Sequence, residues 1–282
     1  MPNKTGHDRS GKDWKWCQVR ECLRDPCFWF AGLNAFLCSV PNGGMTTYGG
    51  ILYTTFGFSM FPDAFIPTYS YYACKSFAEI LTFVVANLQT ILVDIPRNVL
   101  SVIYFVIIGL ITSRWCNLRM YCMMFSVLPP LAGFLGMTLL PNEPRYKWTK
   151  WGLYVMTTPF VVALFLAWTL IPSNVAGKTK RTVTSSWVFI GYCVGNICGT
   201  QIFKAKEAPK YTSGMMGCAV YFGLEFFLIA LWRLILAMRN KRRDRDRSGE
   251  IDGLTDDDRQ KKGKELGEQD YTDFENPYVS TL

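Results

Sequence analysis

The chain has 282 residues, half of them hydrophobic and 15% aromatic, with a formal charge of +8 and a single histidine. That lone His7, in a polar leader, excludes a zinc protease, which needs a paired His motif, and a Ser-His hydrolase, which needs an imidazole base. The charges gather at the ends: stretches between Cys27 and Met238 hold almost none, whereas residues 239–282 carry ten basic and twelve acidic side chains.

The leader, residues 1–26, lacks the apolar stretch of a secretory signal, so targeting falls to the first apolar segment. A hydrocarbon core about 30 Å thick needs roughly 20 apolar residues in a helix. Six segments qualify and together form a transmembrane bundle over 27–238. The first, Cys27 to Tyr53, contains PNGG at 41–44. Pro41 removes an amide donor and Gly43 and Gly44 relax the backbone, so a helix break is expected there, its freed groups facing a cavity. The second runs from Leu88 to Ile111. Between these two lies an irregular insert, 60–87, whose FAEILTFVVA is about half the length needed to cross and reads as a re-entrant or surface segment.

The third and fourth segments are Met120–Leu140 and Trp151–Ile171. The fifth, Val183–Phe203, follows a basic, Gly-containing turn and places Gly191, Gly195 and Gly199 four apart, on one helix face where two backbones can approach closely. The sixth is Met215–Met238. The tail, 239–282, lacks apolar periodicity and reads as disordered. Its RNKRRDRDR run suits contact with anionic lipid, while Asp244 and Asp246 dilute the field that nucleic acid would need.

Cytoplasmic loops carry the excess of Lys and Arg. Six spans with both termini cytosolic place seventeen basic residues inside and seven outside. The Asn3-Lys4-Thr5 sequon then lies in the cytosol and is accidental. Ten cysteines show no pair separated by two residues, so they read as small buried thiols; neither metal nor cofactor is expected.

Polar groups inside apolar spans are functional candidates by default, each set against a plainer role. Asp94 and Arg97 are three apart and can pair, either as a structural ion pair or as a binding group with its competitor. Glu225 lies near the middle of the last span, as a proton carrier or as a neutral packing residue. Arg233, two turns on, suits an interfacial anchor. Tyr192 and Asn196 share a face and either meet a ligand or pack beside the glycines, with Gln201 turned partly away. Asn42 lies within PNGG.

The string SNVAGKTKR with FIGYCVGNICGTQIF and KAKEAPKYTSG, the stretch from WCQVRECLRD to TTFGFS, LQTILVDIPRNV and YTDFENPYV resemble the fungal allantoate permease family, in the anion:cation symporter branch of the major facilitator superfamily. The resemblance covers most of the chain apart from the leader and 60–87. It implies an all-α transmembrane fold, a six-helix bundle equivalent to the C-terminal half of such a carrier, built from two inverted three-helix repeats. The missing N-terminal six-span half is then expected in a longer gene product. A half pairing with a second copy and a degenerate remnant are the alternatives. The insert is read as translated intron rather than a genuine outer loop.

The resemblance further implies proton-coupled uptake of a small organic anion, a ureide, vitamin or other carboxylate, across the plasma membrane. Asn42, Arg97, Tyr192, Asn196 and Gln201 would bind the anion, and Asp94 or Glu225 would carry the proton. It also suggests gating contacts for Lys178, Lys180 and Arg181. The alternative is a non-transporting half-length membrane protein with a binding or structural role; a channel comes third.

Overall fold

The structure, a computed structural model, describes residues 14–55, 75–115, 118–141, 143–175, 177–207 and 211–251. Among these, eight α-helices follow in chain order: α1 (Trp16–Arg24), α2 (Pro26–Thr55), α3 (Lys75–Arg114), α4 (Arg119–Leu139), α5 (Lys147–Val155), α6 (Phe160–Asn174), α7 (Lys178–Ile202) and α8 (Thr212–Ile251). The architecture is all-α. Four stretches are long and apolar enough to cross a membrane: Asp94–Arg114, Arg119–Leu139, Lys147–Ile171 and Thr212–Arg242. α2 and α7 are also long, at 30 and 25 residues, but they spend part of their surface on glycines and amides that meet each other.

Local chemistry sets the helix starts. Asp25 caps α2, its Oδ1 accepting the Cys27 N–H at 3.1 Å, and Pro26 occupies the first turn, where a missing N–H costs nothing. Gly177, at φ +98°, turns the chain into α7. The orphan amides there are capped by another helix: Gln18 Oε1 on α1 accepts from the N–H groups of Thr179 at 3.1 Å and Lys180 at 3.4 Å. That bond buries Gln18 and fixes α1 against the start of α7.

α2 and α7 run in parallel in the closest helix contact of the bundle. A Cβ at Gly191 would sit 2.6 Å from the Gly32 carbonyl oxygen, and one at Gly195 would sit 2.6 Å from that of Phe36. At Gly199 the obstacle is the Val40 carbonyl. Glycines four apart on α7 thus meet carbonyls four apart on α2, as their spacing predicts. On the other side of α2 lies an apolar core shared by α4, α6 and α8, with Met123, Phe134, Ala163, Ala167, Phe222 and Ile229 buried.

The expected break at PNGG is absent: α2 continues through Pro41. Gly43 and Gly44 serve close approach instead, because a Cβ at Gly43 would collide with the Asn196 backbone and one at Gly44 with the Phe203 ring. The interruption falls elsewhere, at Met156–Pro159 between α5 and α6, inside the segment expected to be continuous. Pro159 has no N–H to offer the Val155 carbonyl, and the Thr158 hydroxyl donates to it at 2.7 Å. The Thr157 hydroxyl does the same for Tyr154 at 2.6 Å. The Thr157 and Thr158 N–H groups donate to the same two carbonyls at 3.1 and 3.2 Å, so a tightened turn and the hydroxyls together satisfy them where the helix breaks inside the span.

Two boundaries also differ. From Lys75 the expected irregular insert is helical and continuous with the second span in α3; residues 56–74 lie outside the described residues. Helix α8 extends past Met238 through RNKRRDRDR to Ile251, so the first part of the expected disordered tail is ordered. The sequon and residues 252–282 lie outside the described residues.

Candidate functional site

The predicted polar residues fall into separate groups. In the first, Asn42 on α2 donates from Nδ2 to Asn196 Oδ1 on α7 at 2.9 Å, and Asn196 Nδ2 donates to the Tyr192 carbonyl at 2.8 Å. Gly43 makes this possible by letting the backbones touch beside the amides. Tyr192 therefore contributes its backbone carbonyl, while its ring packs edge-on against Trp168 of α6, centroids 6.1 Å apart. Both amides are only partly buried, so the pair can exchange partners with a ligand. Gln201 does not join it. It is exposed, its Nε2 bonded to Thr200 Oγ1 at 3.4 Å.

The second group is the ion pair. Arg97 Nε lies 2.9 Å from Asp94 Oδ1, and the guanidinium sits 5.3 Å from the centre of the Tyr154 ring on α5. Cation–π contact and ion pairing together hold the charge at a fixed place on α3. Both side chains remain partly exposed, 22% for Arg97 and 32% for Asp94. Water or a carboxylate can therefore reach them.

Glu225 stands apart on α8, fully buried, with no hydrogen-bond partner for either carboxyl oxygen among the described residues. The Cys38 thiol of α2 faces it, but that thiol donates to the Phe160 carbonyl at 3.6 Å. Arg233, the expected anchor, lies over the Tyr121 ring of α4, 3.6 Å from its centre.

Sequence reasoning missed two features. One is a buried charge cluster where the α2 and α7 starts meet α8. Lys180 Nζ lies 3.0 Å from Asp25 Oδ2 and 3.2 Å from Glu21 Oε1, and Arg239 Nη1 lies 2.9 Å from Asp25 Oδ1. Lys180 is 1% exposed and Asp25 2%. Burial pushes the Asp25 carboxyl up, but Lys180, Arg239 and the Cys27 amide outweigh it and hold the group below its ordinary 3.8. The cluster was readable in part, since Asp-Pro at a helix start is a cap signal; its basic partners lie some 155 and 214 residues away. The other feature is Asn34 and Ser39 on α2, both fully buried. An amide in an apolar run was the signal for Asn34.

Lys178 and Arg181 stay outside this cluster: Lys178 is exposed, and Arg181 donates to the Val175 carbonyl at 3.4 Å. Lys180 alone of that trio is drawn in.

No family model and no solved structure matches the sequence. Curated fungal proteins do. An MFS-type transporter of Penicillium expansum is 26% identical over 82% of this chain and 42% of its own length. A Schizosaccharomyces pombe transporter is 28% identical over 86% of the chain and 40% of its own length. The allantoate permease of Saccharomyces cerevisiae is 23% identical over 92% of the chain and 42% of its own length. The chain thus spans about two fifths of the length of the curated relatives it matches. With four strongly apolar candidate spans among the described residues and relatives that are named transporters or permeases, one of them of the MFS type, this is a multi-pass membrane protein related to transporters rather than to enzymes.

Proposed function

We propose that the chain is the C-terminal six-span half of a secondary carrier that moves a small organic anion together with a proton, in the manner of the anion:cation symporters. A half bundle supplies one wall of a central site, and the other wall comes from the six-span half that the relatives' greater length accommodates. The reading rests foremost on the Asn42–Asn196 bridge, a ligand-exchangeable amide pair set at the tightest contact of the bundle. Amides in a membrane interior are costly unless they hold a partner or a ligand. Arg97 supplies the positive charge for a carboxylate, and Asp94 is the intramolecular stand-in that the substrate displaces. Both ends of the described chain face the cytosol in the plasma membrane, following the excess of basic residues on that side.

The test is uptake of labelled ureides, vitamins and other carboxylates against an imposed pH gradient, in cells carrying both halves. Arg97→Ala abolishes uptake while the protein still inserts into the membrane. Unchanged uptake removes Arg97 from the substrate path. Asn196→Ala, which leaves Asn42 without its acceptor, weakens apparent affinity by roughly tenfold, the equivalent of one hydrogen bond of about 1–1.5 kcal/mol.

A further inference from the structure

Asp94 and Glu225 are the two candidate proton carriers, and their settings differ. Asp94 is partly exposed and ion-paired with Arg97 at 2.9 Å, so its carboxylate is satisfied as it stands. Glu225 is enclosed. The Cys38 thiol faces it from α2; that thiol also lies 3.6 Å from the Phe160 carbonyl of α6, and among the described residues this weak donor is the one in reach of the carboxyl. From α4 comes the Phe134 ring, stacked on Phe222 one turn away on α8 itself. Among the described residues, the titratable group facing Glu225 is that thiol, and no Lys or Arg is recorded beside it.

An ionised carboxylate with a weak thiol donor and no counter-ion beside it among the described residues carries a heavy desolvation penalty, a large share of the stability of an ordinary fold. The neutral acid costs only the desolvation of its hydroxyl and carbonyl. We infer that Glu225 is a neutral carboxylic acid in this closed arrangement, and that it is the proton site of the bundle, released only when α8 separates from α2 and α6. On separation, water enters, the O–H bond breaks heterolytically and the proton passes to that water, leaving the carboxylate hydrated. The inference rests on the carrier reading for its role but not for the protonation state itself.

Asn34, one turn before Cys38 on α2, strengthens the assignment. It too is fully buried, and neither its Nδ2 nor its Oδ1 has a partner among the described residues. Two unpartnered polar side chains on the facing helices α2 and α8 mark this seam as one that is polar enough to hydrate once it opens.

Because opening ionises Glu225, alkaline pH favours the open arrangement and acid pH the closed one. The purified chain in lipid vesicles tests this with its own reporters. Infrared spectroscopy at neutral pH is expected to show the carbonyl band of a neutral carboxylic acid that Glu225→Gln removes; Gln mimics the neutral acid, so the variant keeps its fold. Maleimide labelling, read at each cysteine by mass spectrometry, is expected to accelerate at Cys38 relative to the equally buried Cys218 as pH rises, and Glu225→Gln is expected to abolish that difference. Absence of the carboxylic acid band, or a Cys38-to-Cys218 ratio that rises equally in Glu225→Gln, overturns the proposal. In cells carrying both halves, Glu225→Gln is expected to exchange anion across the membrane without accumulating it under a pH gradient. Undiminished accumulation overturns the coupling role, whereas absence of any uptake by the parent protein overturns the carrier reading and leaves the vesicle result to decide the protonation state.

Discussion

Lys180 is almost wholly buried, yet its ammonium lies between two carboxylates, and Arg239 completes the neutralisation from a third helix. Removing one member of such a group leaves a charge without compensation, which costs about 3–5 kcal/mol. Asp25→Asn should therefore lower thermal stability in detergent by about 3 kcal/mol, measured by loss of helical circular dichroism, while Glu21→Gln, at the more exposed edge, costs under about 1 kcal/mol. The pH dependence follows from the lowered carboxyl of Asp25. Its folded value lies beneath 3.8, so its contribution is complete above that pH and is lost as pH falls through the folded value. Acid unfolding in the parent should thus show a component below pH 3.8 that Asp25→Asn lacks. At this scale the sequence was partly readable. Asn42 and Asn196 stood out because amides in apolar spans are rare, and helical spacing already turned Gln201 partly away from Tyr192 and Asn196. The direct Asn42–Asn196 bond was not readable, because it depends on the register between α2 and α7.

Helix α7 carries the clearest legible element. Four-residue glycine spacing predicts a close backbone contact, and the partner carbonyls of Gly32, Phe36 and Val40 keep the same spacing on α2. Gly199→Leu should force the two helices apart and cost at least about 1–3 kcal/mol, seen as lowered melting temperature and loss of the Asn42–Asn196 bridge. Gly109 provides the control, since nothing lies within 4 Å of a Cβ placed there. Gly109→Ala should stabilise by about 0.5–1 kcal/mol, the helix advantage of Ala over Gly. Proline was the misleading signal. Pro41 and Pro159 look alike in sequence, but α2 runs on through Pro41 beside a glycine-lined contact, whereas Pro159 follows two threonines whose hydroxyls and N–H groups both donate to the carbonyls of Tyr154 and Val155. Whether a proline interrupts a membrane helix depends on who satisfies the freed carbonyl, and that is a property of neighbours.

At the scale of the molecule, two clusters fix how the helices are threaded. The start of α2, the start of α7 and the charged stretch of α8 meet at Asp25, Lys180 and Arg239. The far ends meet through Tyr48, Phe203 and Tyr211, with Tyr48 stacked on Phe203 at 5.0 Å and tilted against Tyr211 at 5.5 Å. α2 and α7 therefore rise together and α8 returns. The outward surface is apolar along α3, where Val102, Val106 and Leu110 are more than half exposed, a face suited to lipid tails or to the other half of a carrier. Four of the six expected spans were legible, because a membrane imposes length and hydropathy on a crossing helix. The added N-terminal stretch of α3 and the C-terminal stretch of α8 were not, because a helix can continue past its hydrophobic span. Side-specific labelling of single cysteines, in a cysteine-free version of the chain in sealed vesicles, tests the crossing itself. Lys178→Cys and Lys241→Cys should react with an impermeant maleimide from one face only, and Trp148→Cys and Lys204→Cys from the opposite face only. Reaction of all four from the same face would contradict the account.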